Sequence, residues 1–241
     1  MKHPIPTRCT LIFFLLALLL TWLFRKFIDK GTLAGIGFQW NGHQRDAWVG
    51  FFLGPVLLGL GSLILYANGN LSWMDINFNQ RDFFTSLAFM LMVAVGEELI
   101  FRGYILGNLL QSVNRWIALG LSAIAFTLAH ISNPAVDVIA FVNLFIAGLL
   151  LGINYLYTKN LCFAIFFHFS WNFFQGPILG YDVSGITLQS LFDADLKGNS
   201  LLTGGPFGFE GSILAGILCI IAVLLLHVIY EKSRVIKTVE N

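Results

Sequence analysis

Phe83-Phe84-Thr85-Ser86-Leu87-Ala88-Phe89-Met90-Leu91-Met92-Val93-Ala94-Val95-Gly96-Glu97-Glu98-Leu99-Ile100-Phe101-Arg102 opens an apolar run that continues to Leu110. A run of this length exceeds the roughly 17–25 residues that carry a helix across a bilayer. Two adjacent glutamates sit in its middle. At a rise of ~1.5 Å per residue, Glu97 lies roughly 20 Å from either end. A charge at that depth costs about 2.5–3.5 kcal/mol on the insertion scale for Asp, Lys and Arg. The pair brings no packing gain of its own, so it is read as a functional feature inside a membrane helix.

The rest of the chain agrees with a lipid solvent. Of 241 residues, 57% are hydrophobic and 11% charged, with mean hydropathy +0.78. A soluble domain is about 25% charged, so this chain lacks the charge to coat a water-facing surface. The net charge of +1, with no dense basic stripe, argues against a nucleic-acid partner. Cys9, Cys162 and Cys219 lie in or beside apolar runs without a CxxC pattern, which argues against a disulfide framework or a structural zinc knuckle.

Working outward, the candidate spans are Cys9–Phe24, Ala47–Ala67, Phe83–Leu110, Trp116–His130, Val136–Tyr157, Leu161–Gln175 and Ser212–Tyr230. Lys2 and Arg8 ahead of Leu11–Leu20 look like a signal peptide, but no small-x-small cleavage site follows. The first run is therefore read as a retained membrane helix. Chain reversals fall at Asn68-Gly69-Asn70, Ser132-Asn133-Pro134, Lys159-Asn160 and the long 176–211 loop. The expected fold is all-α, one membrane domain over residues 1–241 with seven transmembrane helices. It becomes eight if the Phe83–Leu110 run breaks near Gly103 or Gly107.

With seven spans, Arg25, Lys26, Lys30, Arg45, Arg115, Lys159, Lys232, Arg234 and Lys237 share one side, and Lys2, Arg8, Arg81 and Lys197 the other. This asymmetry favours a cytoplasmic C-terminal tail and an outer 176–211 loop. Gly103/Gly107 and Gly148/Gly152, at four-residue spacing, suit close helix packing in lipid.

Arg102 follows Glu98 by four residues, so the two share a helix face in the favourable acid-then-base order. Glu97 points about 100° away. The expected division of labour is a Glu98 neutralised by Arg102 and a Glu97 left free for chemistry. Two histidines occupy other apolar runs. His130 closes Phe126-Thr127-Leu128-Ala129-His130, and His168 shares a face with Asn172 four residues on. Measured from the side holding Arg115 and Lys159, His130 lies roughly 21 Å deep, Glu97 roughly 20 Å, Asn172 roughly 16 Å and His168 roughly 10 Å. Polar groups from three helices thus meet in one layer.

The plainer readings are structural. Glu98–Arg102 alone suits an ion pair pinning the bundle, and a lone histidine suits a satisfied core residue. Phe126 reads as packing beside His130, and His227 as a snorkelling residue with no role. An intramembrane Glu97 carboxylate, by contrast, is a functional candidate by default.

Taken together, Glu97-Glu98-x-x-x-Arg102, Phe126-x-x-x-His130 and His168-x-x-x-Asn172 resemble the EExxxR, FxxxH and HxxxN motifs of the CPBP (CAAX protease and bacteriocin-processing, or Abi) family of intramembrane proteases, which includes the type II CAAX prenyl proteases. The resemblance covers roughly residues 83–175. Phe173–Gly176 and Thr203–Ser212 also look like segments of bacterial members. It implies a helical bundle whose cavity opens to water and lipid. Glu97, helped by His130, would activate a water for peptide-bond attack. His168 and Asn172 would donate to the oxyanion, and Glu98 and Arg102 would hold the geometry. The implied partners are membrane lipid and a membrane-associated protein or peptide, in a cell membrane if the source is bacterial.

Family members are often called metalloproteases. This sequence has no HExxH. Glu97, His130 and His168 remain a possible His₂Glu set for a divalent metal such as zinc, beside a reading that needs no metal. The GxGD and GxSG signatures of other intramembrane proteases are missing. Two further functions stand beside the endopeptidase: a non-proteolytic scaffold, regulator or immunity protein, and a proton-coupled transporter, since Glu and His also build proton relays. Without detectable inverted repeats the transporter is the weaker of these.

Overall fold

A computed structural model describes residues 7–239, with side chains over 10–233. Lys2 lies outside the described residues, as do the side chains of Arg8, Cys9, Arg234 and Lys237. The helices in order are α1 (Thr7–Leu23), α2 (Gln44–Ala67), α3 (Gln80–Glu98), α4 (Gly107–Ser112), α5 (Arg115–Ala129), α6 (Val138–Thr158), α7 (Cys162–Phe173), the short α8 (Ser200–Thr203) and α9 (Ile213–Val239). Strands β1 (Leu71–Ile76) and β2 (Phe192–Leu196) form one antiparallel pair. Among the described residues seven apolar helical rods result, and the chain is an all-α membrane bundle.

Among the described residues the Phe83–Leu110 run stays unbroken, so it gives no eighth span. A π-helical turn, Leu99–Leu106, joins α3 to α4, and Gly107 keeps helical dihedrals, so Gln80–Ser112 is one 33-residue rod. Five rods among the described residues are long and apolar enough to cross a bilayer: Thr10–Ile28, Gln44–Ala67, Gln80–Ser112, Val138–Thr158 and Ile213–Ser233. The other two, α5 and α7, are shorter by that measure, although a π turn, Phe174–Ile178, prolongs α7. Both short helices carry histidines. Side chains cap three of the helix starts: Asn79 accepts from Asp82, Asn114 from Trp116 and Asp137 from Ala140.

Glycines set the closest helix contacts. A Cβ on Gly50 would lie 2.4 Å from the Phe163 carbonyl oxygen, and one on Gly54 2.4 Å from Ser170 Oγ, so α2 lies directly on α7. This pair, like Gly148/Gly152, has four-residue spacing. A Cβ on Gly148 would meet Ala123 Cα at 2.8 Å, and one on Gly152 would meet Leu119, which seats α6 on α5. The core runs along α5, α6, α7 and α9 through residues such as Leu119, Leu150, Phe163 and Phe167.

The two ends of the bundle differ. At one, Arg115 pairs with Glu231 at 3.2 Å, Tyr230 donates to Asp46 at 2.6 Å, and Asn160 donates to the Gln39 carbonyl. Arg45, Arg115 and Lys159 therefore gather on one side, the arrangement of the seven-span topology. His227, expected to snorkel, is instead tied to the Tyr157 hydroxyl at 2.7 Å and lies against the Trp116 ring. At the other end, β1 and β2 were not foreseen from the sequence. They close over the loops, with Trp73 donating to the Leu179 carbonyl and Ser62 bonded to Tyr181. Cys162 and Cys219 are buried free thiols.

Candidate active site

The end of α3 supplies Glu97 and Glu98, and the π turn supplies Arg102. A widened turn here frees backbone groups: the Phe101 carbonyl accepts from Ser122 Oγ at 2.8 Å. Such π segments recur at functional sites. Glu98 and Arg102 are fully buried and paired at 2.9 Å. The guanidinium also donates to the Gly148 carbonyl at 3.0 Å, and its carbon lies 4.4 Å over the Phe126 ring. Phe126 therefore does more than pack: one ring covers the arginine and touches the His130 ring, with centroids 4.5 Å apart.

His130 occupies the C-cap of α5, where the short helix ends. Its Nδ1 lies 2.8 Å from the Phe126 carbonyl oxygen. A carbonyl only accepts, so Nδ1 carries a proton and Nε2 faces elsewhere. His168 on α7 places Nδ1 2.8 Å from Glu98 Oε1, again an acceptor. Both imidazoles are thus held in one orientation, by the outer-shell logic that fixes catalytic histidines. Both Nε2 atoms face Glu97 Oε2, at 3.6 Å from His130 and 3.9 Å from His168. These separations are too long for hydrogen bonds, and Oε2 is buried without a hydrogen-bond partner. Asn172, one turn beyond His168, lines the same cavity, and its carboxamide makes no hydrogen bond among the described residues.

The six residues singled out in the sequence therefore form one cluster. Glu97, His130, His168 and Asn172 line the cavity. Glu98 and Arg102 stand behind, with Glu98 Oε1 shared between Arg102 and His168.

The donor types are those of a His₂Glu metal site, but the spacing is not. Ligands ~2.0–2.1 Å from a tetrahedral zinc are roughly 3.3 Å apart, whereas Glu97 Oε2 and His168 Nε2 are 3.9 Å apart. Among the described residues no three His, Cys, Asp or Glu side chains converge as a metal-holding group.

The cavity measures about 360 Å³. Phe13, Phe89, Met90 and Val93 form its apolar flank, while Asn133, Asn143, Ser184 and Glu210 form a second polar wall. Glu210 was not singled out from the sequence. It lies in Gly204-Gly205-Pro206-Phe207-Gly208-Phe209-Glu210-Gly211, where Gly204, Gly205 and Gly208 take positive φ and fold the loop back into the bundle. Its Oε1 accepts from the backbone N–H and hydroxyl of Ser184. Burial raises its carboxyl above the usual carboxylate range, against the opposing pull of the Ser184 bonds and of both histidines. An acid between aromatic and glycine residues, inside an otherwise apolar loop, was the available signal.

Residues 79–174, which include all six of those residues, match the family model described as type II CAAX prenyl endopeptidase Rce1-like. No curated protein and no solved structure is detectably similar to the chain. Over these residues the chain is similar to the type II CAAX prenyl endopeptidases, which supports the resemblance to the CPBP group of membrane endopeptidases drawn from its three motifs.

Proposed function

We propose that the protein is an intramembrane endopeptidase that hydrolyses a peptide bond in a membrane-associated or hydrophobic substrate, with Glu97 activating the attacking water. The observation that carries this reading is the convergence of Glu97 Oε2 with two imidazoles whose Nδ1 atoms are already committed. Separations of 3.6 and 3.9 Å are too long for direct hydrogen bonds and leave these atoms to hold a water from the cavity side.

The two histidines differ in what holds them. His130 is tied to a carbonyl, which suits a neutral ring whose Nε2 accepts from the water. His168 is tied to Glu98, a carboxylate that stabilises a second proton on Nε2, so this ring donates. In the reaction Glu97 takes one proton of the water while His130 accepts a hydrogen bond from the other. The hydroxide oxygen bonds to the carbonyl carbon, and the oxyanion accepts from Asn172 and His168. Collapse breaks the C–N bond as Glu97 returns the proton to the leaving amine. Glu98 and Arg102 act as positioning residues. No step passes through a metal. The substrate class extends to a prenylated CAAX-type protein, whose chain would lie along the apolar flank. The cell membrane is the proposed location, with the basic end in the cytoplasm.

The test is reconstitution of the purified protein in liposomes with lipid-anchored fluorogenic peptides, reading new termini by mass spectrometry. One internal cut per peptide, unaffected by chelators, is expected. Intact peptides together with proton-driven uptake in the same vesicles would overturn the reading in favour of a transporter.

A further inference from the structure

The cavity has a second carboxylate that the chemistry above does not use. Glu97 and Glu210 both line it, together with His130 and His168, and no Lys or Arg does among the described residues. Arg102 is committed to Glu98 behind Phe126. Glu210 shares the cavity wall with both imidazoles. Among the described residues its hydrogen bonds go to Oε1, from Ser184. It also lies outside residues 79–174, in the loop that precedes α9.

Ser184 and Gly185 form a tight turn at positive φ, 50° and 79°, with Val183 paired to Ile186. Gly185 abuts Pro134, four residues beyond His130, and donates to the Phe207 carbonyl. Glu210 is thereby fixed as part of the cavity wall rather than left on a free loop.

We propose that Glu210 is a specificity-determining residue that binds an ammonium or guanidinium group of the substrate and disfavours a substrate carboxylate in the same place. This deepens the endopeptidase reading and rests on it: the preferred substrate carries a Lys, Arg or free amine next to its membrane-embedded segment. A cation supplies the half-buried carboxylate with a charge partner that no Lys or Arg lining the cavity provides among the described residues. An incoming carboxylate would meet like charge in a medium where screening is weak. A chain end bearing a free carboxylate is therefore a poor occupant of this wall.

The experiment reads binding, so that it does not depend on cleavage. Full-length Glu97→Gln protein in nanodiscs leaves Glu210 as the carboxylate on the cavity wall. Lipid-anchored, C-terminally amidated twelve-residue peptides of alanine and leucine carry one lysine, norleucine or glutamate, moved along the sequence. At one or two positions lysine should bind about tenfold tighter than norleucine, and glutamate more weakly than either. Adding Glu210→Gln, which keeps an oxygen to accept from Ser184, should bring lysine and norleucine within about twofold. Ser184→Ala, which keeps the charge and removes one bond to it, should leave the preference in place. Equal binding of lysine and norleucine at every position would overturn the proposal even if Glu210→Gln failed to fold. So would a preference that survives Glu210→Gln, or one lost as fully in Ser184→Ala. Failure of the endopeptidase reading shows separately, as wild-type protein that leaves all the peptides uncut.

Discussion

Arg102→Ala probes the joint between stability and chemistry. In the native protein the guanidinium is fully buried and makes three contacts: 2.9 Å to Glu98, 3.0 Å to the Gly148 carbonyl, and 4.4 Å over the Phe126 ring. Alanine removes all three. Glu98, itself fully buried, is left with the Nδ1–H of His168 as its hydrogen bond. Breaking one side of a buried pair costs about 3–5 kcal/mol, because the remaining charge stays desolvated. For a chain of this size the melting temperature should fall by roughly 6–20 °C. Thermal unfolding in detergent, followed by fluorescence, reads the shift. The double variant Glu98→Gln/Arg102→Met removes both charges and should regain much of the loss, so the two sites couple rather than add. An Arg102→Ala melt within about 1 °C of wild type would refute the pairing argument, as would strictly additive losses in the cycle.

Other expectations follow from single contacts. Asn172→Ala removes a donor that makes no hydrogen bond among the described residues, so turnover should fall on the order of 10²–10³-fold with little change in substrate binding or melting temperature; wild-type turnover would exclude the oxyanion role. Because the Glu97–His168 separation is wide for zinc, chelators should leave turnover unchanged and elemental analysis should find no stoichiometric metal; metal lost in step with activity in His168→Ala would contradict this. Gly148→Ala places a Cβ 2.8 Å from Ala123 Cα and forces α6 from α5. It should cost about 1–3 kcal/mol, read as a lower melting temperature, and an unchanged melt would show that the two helices separate freely.

Much of the bundle was legible because lipid leaves few choices. Apolar run length located seven rods, and the i,i+4 spacings Glu98/Arg102 and His168/Asn172 identified shared faces without any tertiary information. Depth was read less well. Counting residues from the basic end put His168 roughly 10 Å above Glu97, yet its Nε2 lies 3.9 Å from that carboxylate. The start of α7 is recessed: the Leu161 amide donates to the Gly37 carbonyl, so the 29–43 segment covers that end and α7 begins deeper. The Leu99–Leu106 π turn kept a rod whole where glycines suggested a break. Contacts between residues far apart in sequence left no local trace. Phe126 reaches Arg102 and the 204–211 loop folds back onto Ser184 through tertiary packing, which no helical period encodes. The β1–β2 pair was likewise hidden, its strands lying more than 100 residues apart.

The central claim is that Glu97 is the base, and the most direct measurement is the cleavage rate of Glu97→Gln beside wild type, on one lipid-anchored peptide in proteoliposomes. Glutamine keeps the size and polarity of the side chain but cannot take the proton from water. Cleavage should fall at least ~10²-fold and as far as ~10⁴-fold, with peptide affinity and melting temperature unchanged. Glu97→Gln protein that cuts the peptide at the wild-type rate would contradict the account.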